Sequence, residues 1–247
     1  MDKRHVYDWD TRVHLLVRGP GVPPGSTWNA PATMVDLAPT FLGLAGVPKP
    51  PTMDGKSLMP LLTPHGGVPP ATASHLAALG STDAYKARWR DAVFMEYYYV
   101  DPSTKCVGNC DVPDNTKFRK GDRKCVDLPH NEGCWSGSAD GGSNSVKCAT
   151  DCYRTEDEGN NFLAMRTGTG AGTGVLYAEF QTGRAEKEKV QFDDIDFVEL
   201  YDTSKDTWQM NNIAATVAPP PVELQAQLEE FHTRVQREFR CAGDSCS

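Results

Sequence analysis

Cysteine is the residue type whose number and spacing in this chain bear most directly on chemistry. Of the eight cysteines, six fall between Cys106 and Cys152, and two, Cys241 and Cys246, lie close to the last residue. An even number clustered in a loop-rich stretch is typical of disulfides formed in an oxidising compartment. The alternative is a zinc site built from the C-x3-C pairs at either end of the cluster, although structural zinc more often uses C-x2-C spacing. The pattern favours disulfides, with the connectivity left open.

A second feature is a charged segment at residues 3–10 that leads into apolar residues 13–17 and a Gly-Pro-Gly turn. The apolar run predicts a short buried strand. A glycine-rich sequence, TGTGAGTG, follows much later at residues 167–174. It lacks the Lys-Ser/Thr ending and the helix that follow a phosphate-binding loop, so it predicts a hairpin turn between two strands.

Composition narrows the classes of partner. The 247 residues carry a net charge of −8, with acidic residues scattered along the chain. A nucleic-acid partner is disfavoured because binding phosphates requires a basic surface. No apolar run approaches the roughly 18 residues that cross a bilayer, and no secretory signal peptide is visible.

The predicted elements are a short helix, several strands and a long terminal helix. Asp36 is placed to cap the first helix, whose apolar face includes Phe41 and Leu44. Residues 63–85, rich in Pro, Gly, Ala and Ser, are predicted to form a surface excursion. Strands without intervening helices, followed by one helix, favour an antiparallel sheet packed against that helix. The predicted strands are 92–100, 162–166, 175–180 and 196–201, and the terminal helix has an apolar stripe from Leu224 to Phe239.

Four blocks, in order along the chain, resemble the type I sulfatases. Residues 1–21, MDKRHVYDWDTRVHLLVRGPG, are similar to the lysine-bearing segment of that family, K-x-x-x-Y-[ED]-x-x-x-R-V-P-L-[LI]-V-R-G-P-G. Residues 33–46 resemble the family's DLAPT-LxLAG helix, and residues 53–62, MDGKSLMPLL, resemble DGxSLLPLL. Residues 199–214, which begin ELYD, resemble the ELYDLxxDPxQxxNIA signature.

Within that family the chain is most similar to the N-acetylglucosamine-6-sulfatase group, over residues 1–62 and 148–246 but poorly over 63–147. The resemblance implies an α/β, alkaline phosphatase-like sulfatase fold. This chain would hold the end of the large mixed sheet and a C-terminal subdomain made of an antiparallel sheet and a helix. Residues 1–90 would then belong to the catalytic domain, and 91–247 to the subdomain, with a cysteine-rich insert at 101–160.

The resemblance also implies where the chemistry lies. Type I sulfatases use a hydrated formylglycine made from the cysteine of C-x-P-x-R, and a calcium ion held by aspartates and an asparagine. Neither that motif nor those ligand segments occur in this chain, so both are expected in a missing N-terminal half. Lys3 falls at the family's second active-site lysine and is the one catalytic residue assigned. Its ammonium group would contact the sulfate and share a proton with the leaving-group oxygen.

Neighbouring residues receive lesser roles. Tyr7 and Arg12 match the family's Y-E…R positions, with Asp8 for the usual Glu, and are expected to orient the lysine loop. His5 is expected to be a solvated loop histidine, the alternative being a contact with substrate. The run of tyrosines at 97–99 offers a surface for stacking sugars, although at least one of them is expected to be a core or plain surface residue, because alternate strand residues face opposite sides.

These expectations describe a sulfuric ester hydrolase of glycan sulfates, similar to N-acetylglucosamine-6-sulfatases. Its partner would be a sulfated glycan, its cofactor calcium, and its location the secretory pathway, lysosome or extracellular space. The chain alone is expected to be inactive, because the nucleophile and calcium ligands are absent from it. The alternative function is a non-catalytic, disulfide-stapled module that binds glycans, and a phosphoesterase relative is disfavoured by the lysine segment.

Overall fold

The computed structural model describes residues 4–99, 105–106, 152–153, 159–168, 174–183, 190–215 and 220–246. They form a mixed α/β structure that contains a four-stranded antiparallel sheet. The chain divides into two compact units. The first comprises Met1–Glu96, Phe162–Glu179 and Ile195–Ser247, and the second comprises Tyr97–Asn161 and Phe180–Asp194. Nearly all of the sheet belongs to the first unit.

The helices and strands are short apart from the last helix. The helices are α1 (Asp8–Thr11), α2 (Leu37–Leu44), α3 (Met59–Leu62), α4 (Pro70–Ala78), α5 (Thr82–Ala87) and α6 (Val222–Arg240). The strands are β1 (Ala92–Tyr97), β2 (Lys105–Cys106), β3 (Cys152–Tyr153), β4 (Phe162–Thr167), β5 (Val175–Phe180) and β6 (Phe197–Asp202). Within the described ranges, no helix has both the length and the apolar character needed to cross a membrane.

The four-stranded sheet has the order β1-β4-β5-β6 and forms the core of the first unit. Five of the six residues of β4 are buried. Helix α6 lies on the sheet, where its Phe231 packs against Tyr177 of β5 with ring centroids 5.4 Å apart. The predicted antiparallel sheet under a terminal helix is therefore confirmed. The predicted strand at 92–100 ends earlier, at Tyr97, and the tip of the predicted hairpin at 167–174 lies largely outside the described residues.

A buried carboxylate fastens α6 to the sheet. Glu179 of β5 is fully buried and accepts hydrogen bonds from the Tyr177 hydroxyl at 2.6 Å and from Gln236 Nε2 at 3.1 Å. Nδ1 of His232 lies 2.7 Å from the same carboxylate. Burial, and then the hydrogen bond to Glu179, raise the pKa of Tyr177, so its hydroxyl remains a donor. Two of the three partners come from α6, so the helix is held by polar bonds as well as by its apolar stripe.

Helix α2 confirms the predicted element but not the predicted face. Phe41 is 63% exposed and Leu44 49% exposed, whereas Thr40 and Gly43 are buried. The buried face is built for close approach of backbone, because a Cβ on Gly43 would lie 2.8 Å from Ser57 Oγ. Thr40 Oγ1 donates to the Asp36 carbonyl and accepts from Leu58 N–H at 2.8 Å. Small and polar side chains therefore form the buried face of α2, whereas the apolar periodicity had predicted that larger side chains would form it.

Asp36 precedes α2 as predicted, but its carboxylate does not cap that helix. It has the helical backbone geometry of a preceding 3-10 turn, Met34–Asp36, rather than the extended geometry of a capping residue. The fully buried carboxylate accepts from the backbone N–H of Thr33 at 2.9 Å and of Lys56 at 2.8 Å, and from Arg90 Nη1 at 2.6 Å. Burial and the Arg90 charge lower the pKa of Lys56. Asp36 thus joins three separate segments.

One prediction about the first 90 residues is wrong, and another missed two helices. Residues 13–17 do not form a buried strand: they have no assigned secondary structure, and Leu16 is 93% exposed. Residues 63–85 lie largely at the surface, as predicted, but they also include helix α4 and the first part of α5. Pro70 at the first turn suits a helix start, and Ser81 Oγ caps α5 by accepting from Ala84 N–H at 3.2 Å.

The last residues form a small clip. A disulfide joins Cys241 to Cys246 and encloses a turn whose Gly243 N–H donates to Asp54 Oδ1 at 2.5 Å. Lys49 Nζ lies 2.6 Å from an oxygen of Asp244 in the same turn. This disulfide confirms the predicted oxidised state for the C-terminal pair of cysteines. Of the others, only Cys106 and Cys152 fall within the described ranges, so the disulfide-or-zinc alternative for the cluster remains a prediction.

The second unit is described only in part. β2 and β3 pair antiparallel, with Lys105 opposite Tyr153 and Cys106 opposite Cys152. Asn161 is fully buried, accepts from Tyr99 N–H at 2.8 Å, and donates to the carbonyls of Gln181 and Gly183 at 2.8 and 2.9 Å. One side chain therefore ties three stretches of this unit together.

Candidate functional site

Lys3, the predicted catalytic residue, lies outside the described residues, which begin at Arg4. The segment that follows it folds back on itself. The backbone N–H groups of Arg4 and His5 both donate to Asp10 Oδ2, at 3.1 and 3.0 Å. This carboxylate closes a turn immediately before α1, which makes residues 4–12 a compact unit rather than a free strand. We call residues 4–12 the lysine-adjacent segment.

Tyr7 fixes the centre of the lysine-adjacent segment to β6. Its hydroxyl donates to Glu199 Oε1 at 3.0 Å, and its ring meets the edge of Tyr201 with centroids 6.0 Å apart. Burial is the main cause that raises the pKa of both Tyr7 and Glu199. The expected scaffold position of Tyr7 thus has a physical partner, 192 residues away in the sequence.

Asp8 makes the strongest attachment, to Arg166 of β4. Arg166 Nε lies 2.9 Å from Asp8 Oδ1 and Nη2 lies 3.1 Å from Oδ2, a two-bond pairing of guanidinium and carboxylate. The two side chains are 9% and 17% exposed, so water competes little for either. The backbone N–H of Asp8 also donates to Gln209 Oε1 at 2.9 Å. By contrast, Arg12 is 48% exposed and lies 3.9 Å from Asp8, so this expected scaffold pair is the weaker one.

Two polar atoms at this attachment stand out. Glu199 Oε2 and Gln209 Nε2 are buried and have no hydrogen-bond partner among the described residues. Gln209 also has φ of +55°, a left-handed conformation that a non-glycine residue rarely adopts. Burying such an atom without a partner costs on the order of 1–3 kcal/mol. The contacts between the lysine-adjacent segment and the rest of the unit therefore include two buried polar atoms without described partners and one strained backbone position.

The other expected site residues are not brought to this place. His5 is exposed, in agreement with its reading as a solvated loop residue. Tyr99 is buried, with its backbone bound to Asn161, and the Tyr98 ring lies 5.8 Å from Phe192. At least one of the three tyrosines is therefore a core residue, as expected. In the described ranges, no group of three His, Cys, Asp or Glu side chains is arranged to hold a metal ion.

Sequence reasoning missed three attachment residues. Glu199 and Gln209 belong to the fourth block of the resemblance, which carried no hint of what the block contacts. Arg166 ends the predicted strand at residues 162–166, for which the sequence suggested no partner. Their common signal is a polar residue in or next to an apolar strand, such as Arg166 after FLAM and Glu199 before Leu-Tyr. That signal marks a buried polar contact but does not name its partner.

Several known proteins are similar in sequence to this chain. Residues 1–67 match the family described as N-sulphoglucosamine sulphohydrolase, C-terminal. The N-acetylglucosamine-6-sulfatase of Bos taurus is 28% identical over 248 residues, which is 100% of this chain and 32% of that protein. The extracellular sulfatase SULF-1 homolog of Drosophila melanogaster is 48% identical over 60 residues, which is 24% of this chain and 5% of that protein. The chain thus spans about one third of the length of the N-acetylglucosamine-6-sulfatase it matches throughout.

A solved structure, of BT4656 in complex with its substrate D-glucosamine-2-N,6-O-disulfate, is a partial likeness. It covers 83% of this chain and 24% of that chain, with 20% identity and a TM-score of 0.38. The sequence matches thus show likeness at two levels. Residues 1–67 resemble the C-terminal region of N-sulphoglucosamine sulphohydrolases, and the chain over its full length is similar to N-acetylglucosamine-6-sulfatases.

Proposed function

We propose that this chain is the lysine-bearing part of a sulfuric ester hydrolase that acts on glycan sulfates of the N-acetylglucosamine-6-sulfate kind. The observation that carries the proposal is the match over the whole chain to N-acetylglucosamine-6-sulfatases. The fold would be the alkaline phosphatase-like sulfatase fold, with residues 1–90 in the catalytic domain and 91–247 in the C-terminal subdomain. The disulfide between Cys241 and Cys246 supports a secreted, lysosomal or extracellular location.

In this proposal Lys3 is the catalytic residue. Hydrolysis of a sulfate ester needs positive charge on the sulfate oxygens and a proton for the departing alkoxide, and an ammonium group supplies both. Such a group is useful only when its position is fixed. Tyr7 and Asp8 follow Lys3 by four and five residues. Glu199 binds Tyr7, and Arg166 and Gln209 bind Asp8. These contacts give the lysine-adjacent segment the rigid base that the role requires.

The described residues do not fit the calcium ion that the family implies. The carboxylates of Asp36, Asp8 and Glu179 are already bonded to protein donors. Buried Glu199 keeps one oxygen without a partner, but among the described residues it belongs to no group of three side chains that could hold a metal ion. No cysteine in the sequence opens a C-x-P-x-R motif. We derive no step through calcium or formylglycine, and we expect no turnover by this chain alone.

The test is binding of N-acetylglucosamine 6-sulfate to the chain of residues 1–247, followed by nuclear magnetic resonance, with release of sulfate measured in parallel. Lys3→Ala should abolish binding, and Lys205→Ala, which removes a lysine whose side chain is 84% exposed, should leave binding unchanged. No binding of the sulfated sugar, or equal binding by Lys3→Ala, would show that the proposal is wrong. Release of sulfate by the unmodified chain would overturn the expectation that it is inactive alone.

A further inference from the structure

The disulfide clip, residues 241–246, lies against a surface loop. The loop is residues 49–54, KPPTMD, which we call the proline loop. Four of its six residues are exposed, and it has no assigned helix or strand. Exposed segments with few buried contacts open locally at little cost in free energy unless other groups fasten them. The order of the proline loop therefore depends on the contacts that the clip makes with it.

Two successive backbone amides of the clip make this contact. Gly243 N–H donates to Asp54 Oδ1 at 2.5 Å, and Asp244 N–H donates to the Pro51 carbonyl at 3.0 Å. Gly243 has φ of +60°, and a Cβ at this position would lie 2.0 Å from the Pro51 carbonyl oxygen. The ion pair of Lys49 with Asp244 contributes less, because the Asp244 side chain is 66% exposed. The clip and the loop therefore meet backbone to backbone, and the fit requires the backbone shape of the closed clip.

The disulfide is what fixes that shape. The clip contains one 3-10 turn, Gly243–Ser245. Its internal backbone bonds run from Ser245 N–H to the Ala242 carbonyl at 3.3 Å and from Cys246 N–H to the Gly243 carbonyl at 3.1 Å. A single helical turn is marginal in water by itself, whereas a disulfide removes many of the open conformations of the segment that it closes. Breaking the disulfide therefore removes the shape that the contact with the proline loop requires.

The far end of the proline loop is anchored separately. Gly55 follows the loop, and a Cβ there would lie 2.0 Å from the Val35 carbonyl oxygen. Lys56 N–H donates to the fully buried carboxylate of Asp36 at 2.8 Å. These contacts involve no residue of the clip. Opening of the clip should therefore loosen residues 49–54 and stop at Gly55.

The disulfide is open to attack from solution, because both of its cysteines are partly exposed. One thiolate of a dithiol attacks one cysteine sulfur, the sulfur–sulfur bond breaks, and the other cysteine leaves as a thiolate that takes up a proton. The second thiol of the reagent then displaces the first cysteine, which also becomes a thiol. The dithiol closes into its own disulfide, and its two electrons and two protons end on the two cysteines.

We propose that the Cys241–Cys246 disulfide is a redox-sensitive latch on the proline loop. In the oxidised state the clip holds residues 49–54 in place. After reduction by a dithiol the clip loses its shape, and the clip and the loop open together, while the chain from Gly55 onward stays fixed. The latch requires no role for Lys3, so it goes beyond the proposed function and does not depend on it.

The first experiment measures amide hydrogen exchange by nuclear magnetic resonance in the oxidised chain and in the double variant Cys241→Ser, Cys246→Ser. In the variant, the amides of the clip and of Met53 should exchange at least about tenfold faster. The Lys56 amide, which Asp36 holds, should be unchanged and serves as the internal control. Faster exchange at Met53 and Lys56 alike would show general unfolding and would overturn the latch.

A second experiment adds dithiothreitol in steps to the unmodified folded chain, with iodoacetamide labelling and peptide mapping to follow each cysteine. Exchange at Met53 should rise in parallel with the labelled fraction of Cys241 and Cys246. Dithiothreitol should leave exchange at Met53 unchanged in the double variant, which controls for the other six cysteines. Labelling of both cysteines without faster exchange at Met53, or resistance of this disulfide to dithiothreitol in the folded chain, would overturn the proposal.

A third variant tests the contact with the disulfide intact. Gly243→Ala should also speed exchange at Met53, because its Cβ would overlap the Pro51 carbonyl oxygen. The matched control is Gly19→Ala, whose Cβ would have no other atom within 4 Å and which should leave exchange at Met53 unchanged. Unchanged exchange at Met53 in Gly243→Ala would show that the clip does not hold the proline loop.

Discussion

The attachment of Asp8 to Arg166 can be measured as a coupling free energy. Two charge-assisted hydrogen bonds, at 2.9 and 3.1 Å, join side chains that are 17% and 9% exposed. A hydrogen bond to a charged group contributes about 1.5–3 kcal/mol. Because Asp8 keeps some contact with water, and because the two bonds share one pair of groups, we expect a total coupling of about 2–3 kcal/mol.

The assay is a double-mutant cycle of Asp8→Ala, Arg166→Met and the double variant, with the free energy of unfolding measured in urea. Arg166 also donates to the carbonyls of Thr167 and Gly168. Those bonds are lost equally in the single and the double variant, so they cancel in the coupling term. The control is the surface pair of Lys205 and Asp202, 2.8 Å apart with side chains 84% and 27% exposed, for which we expect a coupling of at most about 1 kcal/mol.

Hydrogen exchange supplies a second reading of the same change. Arg166→Met should speed exchange of the amides at residues 4–12 while leaving those of α6 unchanged, because the bond fastens the segment and not the helix. A coupling below about 0.5 kcal/mol, or unchanged exchange at residues 4–12, would refute the argument that this pair holds the lysine-adjacent segment.

Three further changes test other parts of the same unit. Burial raises the folded-state pKa of Glu199 above the usual 4.5, so its contribution to stability is present below pH 4.5 and is lost as the pH rises through the folded-state pKa. Urea titrations from pH 4 to 8 should therefore show the free energy of unfolding of Glu199→Gln falling relative to that of the wild type as the pH is lowered. A difference that does not depend on pH would contradict this. Glu179→Ala should lower the free energy of unfolding by about 3 kcal/mol, because Tyr177, His232 and Gln236 lose their buried acceptor. Glu179→Gln keeps an acceptor and should lower it less. Equal losses of stability in thermal melts of the two variants would show that hydrogen bonding is not the cause. Gly55→Ala would place a Cβ 2.0 Å from the Val35 carbonyl oxygen and should lower the melting temperature strongly. Gly19→Ala, whose Cβ would have no other atom within 4 Å, should leave the melting temperature unchanged. Similar melting temperatures for the two variants would refute the argument that Gly55 is closely packed.

The sheet and terminal helix were predictable because their signals are local. Strand β5 has the predicted bounds, and Phe231 and Val235 of the α6 stripe are buried as the 3.6-residue period requires. Periodicity predicted the wrong buried face for α2, because it counts apolar residues and does not detect where two stretches of backbone approach closely. The contact there depends on Gly43 and on the hydroxyl of Thr40, and neither adds to an apolar pattern.

Residues 13–17 show a different limit of pattern reading. A run of apolar residues predicts burial only if another element covers it, and the sequence of one segment does not reveal its partner. Leu16 is 93% exposed and Val13 59% exposed, so the described residues provide no cover for this run. The missed helices α4 and α5 reflect the opposite error. The Pro and Gly content of residues 63–85 predicted a surface excursion without a helix, although Pro at the first turn and Ser81 at a cap are start signals for helices.

The candidate site was predictable as a segment but not as a set of contacts. The lysine block named Tyr7, Asp8 and Arg12, yet the side chains that hold Tyr7 and Asp8 lie between 158 and 201 residues further along the chain. These bonds require β4, β6 and the turn at Gln209 to lie beside the segment, so no pattern within residues 4–12 reveals them. The ELYD block and the lysine block, which look independent in the sequence, are therefore two halves of one structural element. A change in either half should therefore disturb the lysine-adjacent segment.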